Sequence, residues 1–277
     1  MTENNKASSE VSTINYPKKL LGQGLDSNGA VYENLNEFWK AELDGSENKA
    51  EDKWYSLADK YWKSVEPTVD GMLGGLSEIA DTDILGSKSL LSEFIRGKSR
   101  KAMQTINALD CGAGIGRLTR DLLIPLGFKS IDLLEQNPIF LKEAQEKVLV
   151  DYKMVQNYYA MGMQDFQFPL GNQRLYDLIW IQWVIGHLSD VDLVAFLKRA
   201  SEHLTESGII CIKDNTAKKT FIMDKQDNSV TRTDMHIKLL IEESGCVVLK
   251  SQLQTNFPKE LFPVVTYVIE KKKPQTK

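Results

Sequence analysis

Residues 109–117 read Leu-Asp-Cys-Gly-Ala-Gly-Ile-Gly-Arg, and this run constrains the fold more than any other in the chain. An apolar strand ends on an acidic residue, three glycines follow at alternate positions, and a helix begins. An α/β protein uses such a turn to bring backbone close to a small anionic ligand at a helix N-terminus. Without Cβ atoms the turn can take positive φ and the ligand can approach the main chain. The spacing is G-x-G-x-G, whereas dinucleotide sites carry G-x-G-x-x-G.

From Ile106 onward the periodicity predicts alternating strands and helices. Strands are expected at Ile106–Asp110, Ser130–Leu134, Gln156–Tyr159, Tyr176–Gln182 and Ile209–Lys213, and two more at Cys246–Gln252 and Val264–Glu270. Helices are expected at Arg117–Leu126, Pro138–Val150, Asp190–Leu204 and Thr233–Ser244. That alternation implies a parallel sheet covered on both faces. Ahead of it, residues 1–30 are polar and read as a disordered tail. Residues 31–100 read as a helical extension: aromatic and apolar residues at helical spacing between Asn34 and Val65, then a helix at Leu85–Arg96. Between them the Gly-rich stretch Thr68–Gly75 reads as a mobile loop. Residues 101–270 form the α/β domain, and 271–277 a basic tail.

The bulk numbers exclude more than they identify. A chain of 277 residues that is 42% hydrophobic can bury a large core without staples. The net charge of −4 argues against broad nucleic-acid binding. Three scattered cysteines, Cys111, Cys211 and Cys246, suit a reducing compartment without a disulfide frame. The first ten residues have no apolar segment of a secretory signal, and no stretch is apolar enough to span a membrane. A cytoplasmic location is expected, with the nucleus as a second one.

Doubly wound sheets bind ligands at the C-terminal ends of their strands. Gly112, Gly114, Gly116 and Arg117 follow the first strand of the domain. Glu135, beside Gln136 and Asn137, follows the second, where a carboxylate can accept both hydroxyls of a ribose and would repel a phosphate. Met163 and Gln164 follow the third and suit an adenine ring, which wants an apolar slot and one or two hydrogen bonds. Gln182, Trp183 and His187 follow the fourth, and Asp214 and Asn215 the fifth. Singly, Glu135 reads equally as a surface charge, Met163 as core and His187 as a structural histidine. Together they describe a nucleoside site in which Arg117 can pair with the carboxylate of a methionine moiety. The cofactor is therefore expected to be S-adenosyl-L-methionine.

Three blocks resemble the signatures of the protein N-terminal α-amine methyltransferases, the X-Pro-Lys/Arg enzymes: residues 110–117, Ile179-Trp-Ile-Gln-Trp-Val-Ile-Gly-His187, and Ile212-Lys-Asp-Asn215. Tyr61-Trp62 and Pro67–Gly75 resemble that family's N-terminal helix and clamp, and Asp224, Asp227–Val230 and Arg232 its substrate loop. The likeness runs from Trp54 to Glu270. It implies a seven-stranded Rossmann-like S-adenosylmethionine-dependent methyltransferase fold with a reversed last strand. The implied acceptor is the free α-amine of a protein beginning, after Met removal, with a small residue, Pro, and Lys or Arg. Ribosomal proteins are the expected partners and the enzyme is expected to be a monomer.

By position, the resemblance implies that Gly112, Arg117, Glu135, Met163, Gln164 and Gln182 hold the cofactor. Trp183 would pack on the substrate proline beneath Leu73 and Gly74. Trp62 and Ser229 would complete the peptide channel, and Asp224 would face the basic third residue. Asp227, His187 and Asn215 would surround the reacting amine. Glu135 stands where many members have Asp, and Phe262 where many have Tyr. His187, with an unperturbed pKa near 6.5, is the natural proton acceptor, sharing that task with Asp227 while Asn215 aims the lone pair. Two other readings share the sheet and the glycine turn: a methyltransferase of small molecules, and a non-catalytic subunit of the same fold. An NAD-dependent reductase is disfavoured, because the chain shows neither the dinucleotide glycine spacing nor a Tyr-Lys pair.

Overall fold

The computed structural model describes residues 14–20, 22–43, 50–97, 100–169 and 174–273. Seven strands form the main sheet. Five are parallel neighbours: β3 (Asn107–Cys111), β4 (Ser130–Glu135), β5 (Val155–Ala160), β6 (Tyr176–Gln182) and β7 (Leu204–Asn215). With β10 (Cys246–Leu253) and β11 (Val264–Lys271) the order is β10-β11-β7-β6-β3-β4-β5. The last strand, β11, runs antiparallel to both neighbours, as the resemblance implied. All seven residues of β6 are buried, which is why this central strand reads as a nearly continuous apolar run.

Each face has its own core. One gathers Ile179, Ile181, Phe196, Ile210, Ile237, Leu240 and Tyr267 beneath helices α6 (Asp190–Glu202) and α7 (Asp234–Glu243). The other gathers Leu90, Leu91, Leu122, Leu133, Trp180 and Val268 beneath α4 (Ala80–Ile95) and the helical segments after β3 and β4. Helix starts are set by local chemistry. Ser189 caps α6 by accepting from Asp192 N–H, Thr233 caps α7 by accepting from His236 N–H, and Asn137 with Pro138 opens α5 (Pro138–Glu143).

The N-terminal part differs from the sequence reading in three ways. Residues 14–20 and 22–30 are not a disordered tail. Leu20 is buried, and β1 (Gly24–Asp26) and β2 (Val31–Tyr32) join β8 (Ile222–Asp224) and β9 (Ser229–Thr231) in a second sheet of order β2-β1-β8-β9. Residues 1–13 and 274–277, read as tail, lie outside the described residues. The stretch 68–75 is not a bare loop: after α1 (Leu35–Leu43) and α2 (Ala50–Ser64) it forms the short helix α3 (Val69–Met72), with Thr68 accepting from Gly71 N–H. Finally, α4 begins five residues before the expected Leu85, which brings Asp83 into its first turn.

Candidate active site

The strand tips of β3, β4 and β6 and the turn after β5 line a cleft of about 940 Å³, its mouth included. Gly112 and Gly114 sit at φ +65 and +54 in the turn after β3, and a Cβ on Gly112 would lie 2.8 Å from Val184. Glu135 closes the turn from β4: its carboxylate accepts from Gly114 N–H at 2.9 Å and Asn137 N–H at 2.8 Å. Burial raises its pKa, offset by these backbone donors. Gln136, Met163 and Gln164 also line the cleft. Arg199 fixes the loop after β5 from behind by donating to the Met163, Gln164 and Phe166 carbonyls.

Arg117 is held by a residue that sequence reasoning missed. Asp83 of α4, fully buried, accepts from Arg117 Nη2 at 2.9 Å, pairs with Lys213 at 2.6 Å and accepts from Gln182 Nε2 at 2.9 Å. A lone aspartate in an amphipathic helix carries no signal of this in the sequence. Arg117 Nη1 is buried with no hydrogen-bond partner among the described residues. A buried, unpartnered cationic N–H lining a cleft beside a glycine turn fits a ligand carboxylate. Together with the acidic Glu135 and the apolar wall of Met163, these residues fit S-adenosylmethionine.

Two expected cofactor residues have other tasks. Asn137 does not line the cleft: its side chain caps α5 and donates to the Trp62 carbonyl at 3.1 Å. Gln182 lines it, but its amide is committed on both sides, to Asp83 and to Trp180 Nε1 at 3.0 Å. It positions Arg117's partner with one amide N–H, which both Asp83 oxygens share.

A second cavity of about 900 Å³, its mouth included, adjoins the first, and Trp62, Met72, Trp183 and His187 line both. Leu73, Asn215, Asp227 and Ser229 line the second, with the apolar Leu76, Phe257 and Phe262. Seven of the expected acceptor-side and catalytic residues therefore converge here. Gly74 and Asp224 do not line it: Gly74 lies in the turn after α3, at φ +59, and the Asp224 carboxylate accepts from Gln226 N–H at 2.8 Å. Trp183 is one of three non-glycine residues at positive φ among those described, at +52, immediately after β6. Such backbone strain gathers at functional sites. Its amide is anchored to the Lys213 carbonyl at 3.0 Å.

The geometry gives His187 a different task from the one expected. The Trp62 indole N–H donates to His187 Nε2 at 2.9 Å, and His187 Nδ1 faces the Asn228 carbonyl at 3.4 Å. An indole N–H only donates and a carbonyl only accepts, so the imidazole is neutral with its proton on Nδ1. Its one lone pair is occupied. Burial holds its pKa below the usual value, although Asp227 pulls the other way. Asp227 is the opposite case: burial pushes its carboxyl up, against the nearby His187 and a hydrogen bond from Ser229 at 2.7 Å. Buried Asp214, on the channel wall, is pushed up to about 7.

A doubly wound sheet with one reversed strand, whose tips hold an adenosine-sized cleft with a waiting arginine, defines an S-adenosylmethionine-dependent methyltransferase. Residues 50–270 match the family described as AdoMet dependent proline di-methyltransferase. The alpha N-terminal protein methyltransferase 1 of Dictyostelium discoideum is 52% identical over 271 residues, 98% of this chain and 99% of that protein. The N-terminal Xaa-Pro-Lys N-methyltransferase 1-A of Xenopus laevis is 44% identical over 219 residues, 79% of this chain and 96% of that protein. A solved SAM-dependent methyltransferase from Leishmania major superposes with a TM-score of 0.82 at 38% identity, covering 93% of this chain and all of that one. The chain belongs to this family of S-adenosylmethionine-dependent protein N-terminal methyltransferases.

Proposed function

We propose that this enzyme methylates the free α-amine of proteins beginning, after Met removal, with a small residue, Pro, and Lys or Arg. Ribosomal proteins are its proposed targets, and it works as a monomer in the cytoplasm and nucleus. What carries the reading is the shared wall: the cofactor cleft and a second cavity, with Asp227 in its lining, meet at Trp62, Met72, Trp183 and His187. A chain end entering the channel brings its first nitrogen to that wall.

S-adenosylmethionine, when bound, supplies an electrophilic methyl group on a sulfonium. Arg117 Nη1 takes the carboxylate of its methionine part, Glu135 the ribose, and Met163 flanks the base. The remaining work belongs to the channel. The rigid, flat substrate proline stacks on Trp183 at small entropic cost, beneath Leu73. Asp224, beyond the channel lining, meets the basic third residue. An α-amine has a pKa of about 7.7–8.0, so roughly a tenth is uncharged at neutral pH. The base therefore has to supply only about one pKa unit, roughly 1.4 kcal/mol. Asp227 takes this proton, because burial makes its carboxylate a better acceptor than an exposed one. His187, its lone pair occupied by Trp62, holds the Asp227 hairpin through Asn228 while Asn215 aims the amine.

Mass spectrometry of a Ser-Pro-Lys peptide incubated with enzyme and donor tests the reading. The expected result is methyl addition to the α-amine, none on the N-acetylated peptide, and about a tenfold loss of turnover in Asp227→Asn with cofactor affinity unchanged. Methylation of the acetylated peptide, or full turnover in Asp227→Asn, overturns it.

A further inference from the structure

We propose that residues 14–43, N-terminal to the part of the chain matched by the family model, form an arm that positions the acceptor hairpin β8–β9 and thereby sets how well the peptide is used. The inference rests on the reading above that Asp227 and Ser229 face the acceptor.

The hairpin has two flanks. On one side β9 leads to the channel: Ser229 and Val230 border Gly186, and Asn228 at the hairpin turn meets His187 and donates to the Trp54 carbonyl at 2.8 Å. On the other side β8 would be a bare edge, and the arm covers it. Strand β1 pairs in parallel with β8, with Leu25 opposite Ile222 and Asp26 opposite Met223. Beyond the paired residues, Ser27 N–H donates to the Met223 carbonyl at 2.8 Å, and Lys225 N–H donates to Ser27 Oγ at 3.0 Å. Lys225 Nζ reaches back to Glu42 at 2.6 Å, and Tyr32 donates to the same Glu42 oxygen at 2.6 Å.

The apolar contacts follow the same route. Phe221, Met223 and Val230 of the hairpin segment are buried with Leu20, Leu35, Phe38 and Trp39 of the arm. The fit is tight at Gly24, where a Cβ would lie 2.0 Å from Phe221 Cζ. A second anchor acts on the opposite flank. The Tyr16 phenol donates to Asp190 at 2.6 Å, and Asp190 also accepts from Arg232 Nε at 2.7 Å. Arg232 in turn donates to the Ile185 and Leu188 carbonyls at 2.7 and 2.6 Å, on either side of His187. The arm therefore touches the hairpin directly and reaches the His187 turn through Asp190 and Arg232. It contributes no residue to the lining of the cofactor cleft. That separation is what the proposal predicts in function.

The test uses the full-length protein with Gly24→Val, which wedges β1 away from Phe221, and with the surface pair Glu42→Lys and Lys225→Glu, singly and together. Calorimetry gives cofactor affinity, steady-state kinetics give kcat/KM for the Ser-Pro-Lys peptide, and hydrogen exchange reports residues 221–231. Expected are a tenfold or larger fall in peptide kcat/KM for Gly24→Val and a smaller fall for Glu42→Lys that the reversed pair restores. Cofactor affinity stays within twofold, and amides of 221–231 exchange faster while those of β3 and β4 do not. The proposal is overturned if peptide kcat/KM is unchanged while exchange shows the arm displaced, or if cofactor and peptide suffer equally. Should Gly24→Val not fold, the charge pair decides alone. If the wild-type enzyme ignores the peptide, the acceptor reading fails on its own. The arm is then judged by exchange, and a hairpin equally protected with the arm displaced overturns it.

Discussion

The bond from Trp62 to His187 separates two assignments of the base. Replacing Trp62 by Phe keeps a ring against the channel and removes the donor to His187 Nε2. That bond exists only for the neutral imidazole, because the imidazolium has no lone pair to accept it. Its loss therefore destabilises the neutral form by the net worth of one buried hydrogen bond, about 0.5–1.5 kcal/mol, and raises the His187 pKa by roughly half a unit to one unit. The chain has three histidines, so ring-proton NMR resolves each, and His203 and His236 serve as internal references. The wild-type His187 resonance should titrate below the ordinary imidazole value, and the Phe variant should move up toward it. An unmoved midpoint refutes the hydrogen-bond argument. The same variant carries a kinetic signature. If His187 were the base, freeing its lone pair would raise turnover at neutral pH. With Asp227 as the base, turnover does not rise, and a measured increase returns the role to His187.

Other outcomes follow from the geometry. Asp83→Asn leaves the buried Arg117 and Lys213 without their counter-charge, a loss of about 3–5 kcal/mol that should lower Tm by roughly 6–20 °C in a scanning calorimeter. Gly114→Val forces a β-branched residue to φ +54 with its Cβ 2.7 Å from Met72 Sδ. Strain of about 1–2 kcal/mol should weaken cofactor binding around tenfold by isothermal calorimetry, and unchanged affinity would refute it. Asp214 has a folded pKa of about 7 against about 3.9 unfolded. The stability it lends is full below pH 4 and is lost as pH rises to 7, so Asp214→Asn should flatten the fall in urea midpoint across that window.

The parts legible in the sequence were those whose signal is local. Strand β6 was readable to the residue because it is buried on both faces and apolar between Asp177 and Gln182. The glycine turn and Glu135 were legible because a doubly wound sheet places its ligand at strand tips. The arm was not. Strands β1 and β2 have three and two residues, too few for any periodicity, and the apolar surface they pack on arrives with Phe221 and Met223. Asp83 was invisible because its partners Arg117, Gln182 and Lys213 come from three separate strand ends. His187 was legible as a strand-tip residue, but its bond to Trp62 was not, since nothing in the order of residues says that the nitrogen of Trp62 would reach it. Asn137 was drawn into the site by its nearness to Glu135, whereas the proline after it makes it a helix cap.

The pairing of Leu25 with Ile222 also has a consequence for synthesis. A ribosome adding about 5–20 residues per second releases the first of these strands some ten to forty seconds before the second exists. During that interval Leu20, Leu35 and Phe38 have no hairpin to cover them. The arm must wait for a hairpin made about 200 residues later, so the peptide side of this enzyme is completed long after the arm leaves the ribosome.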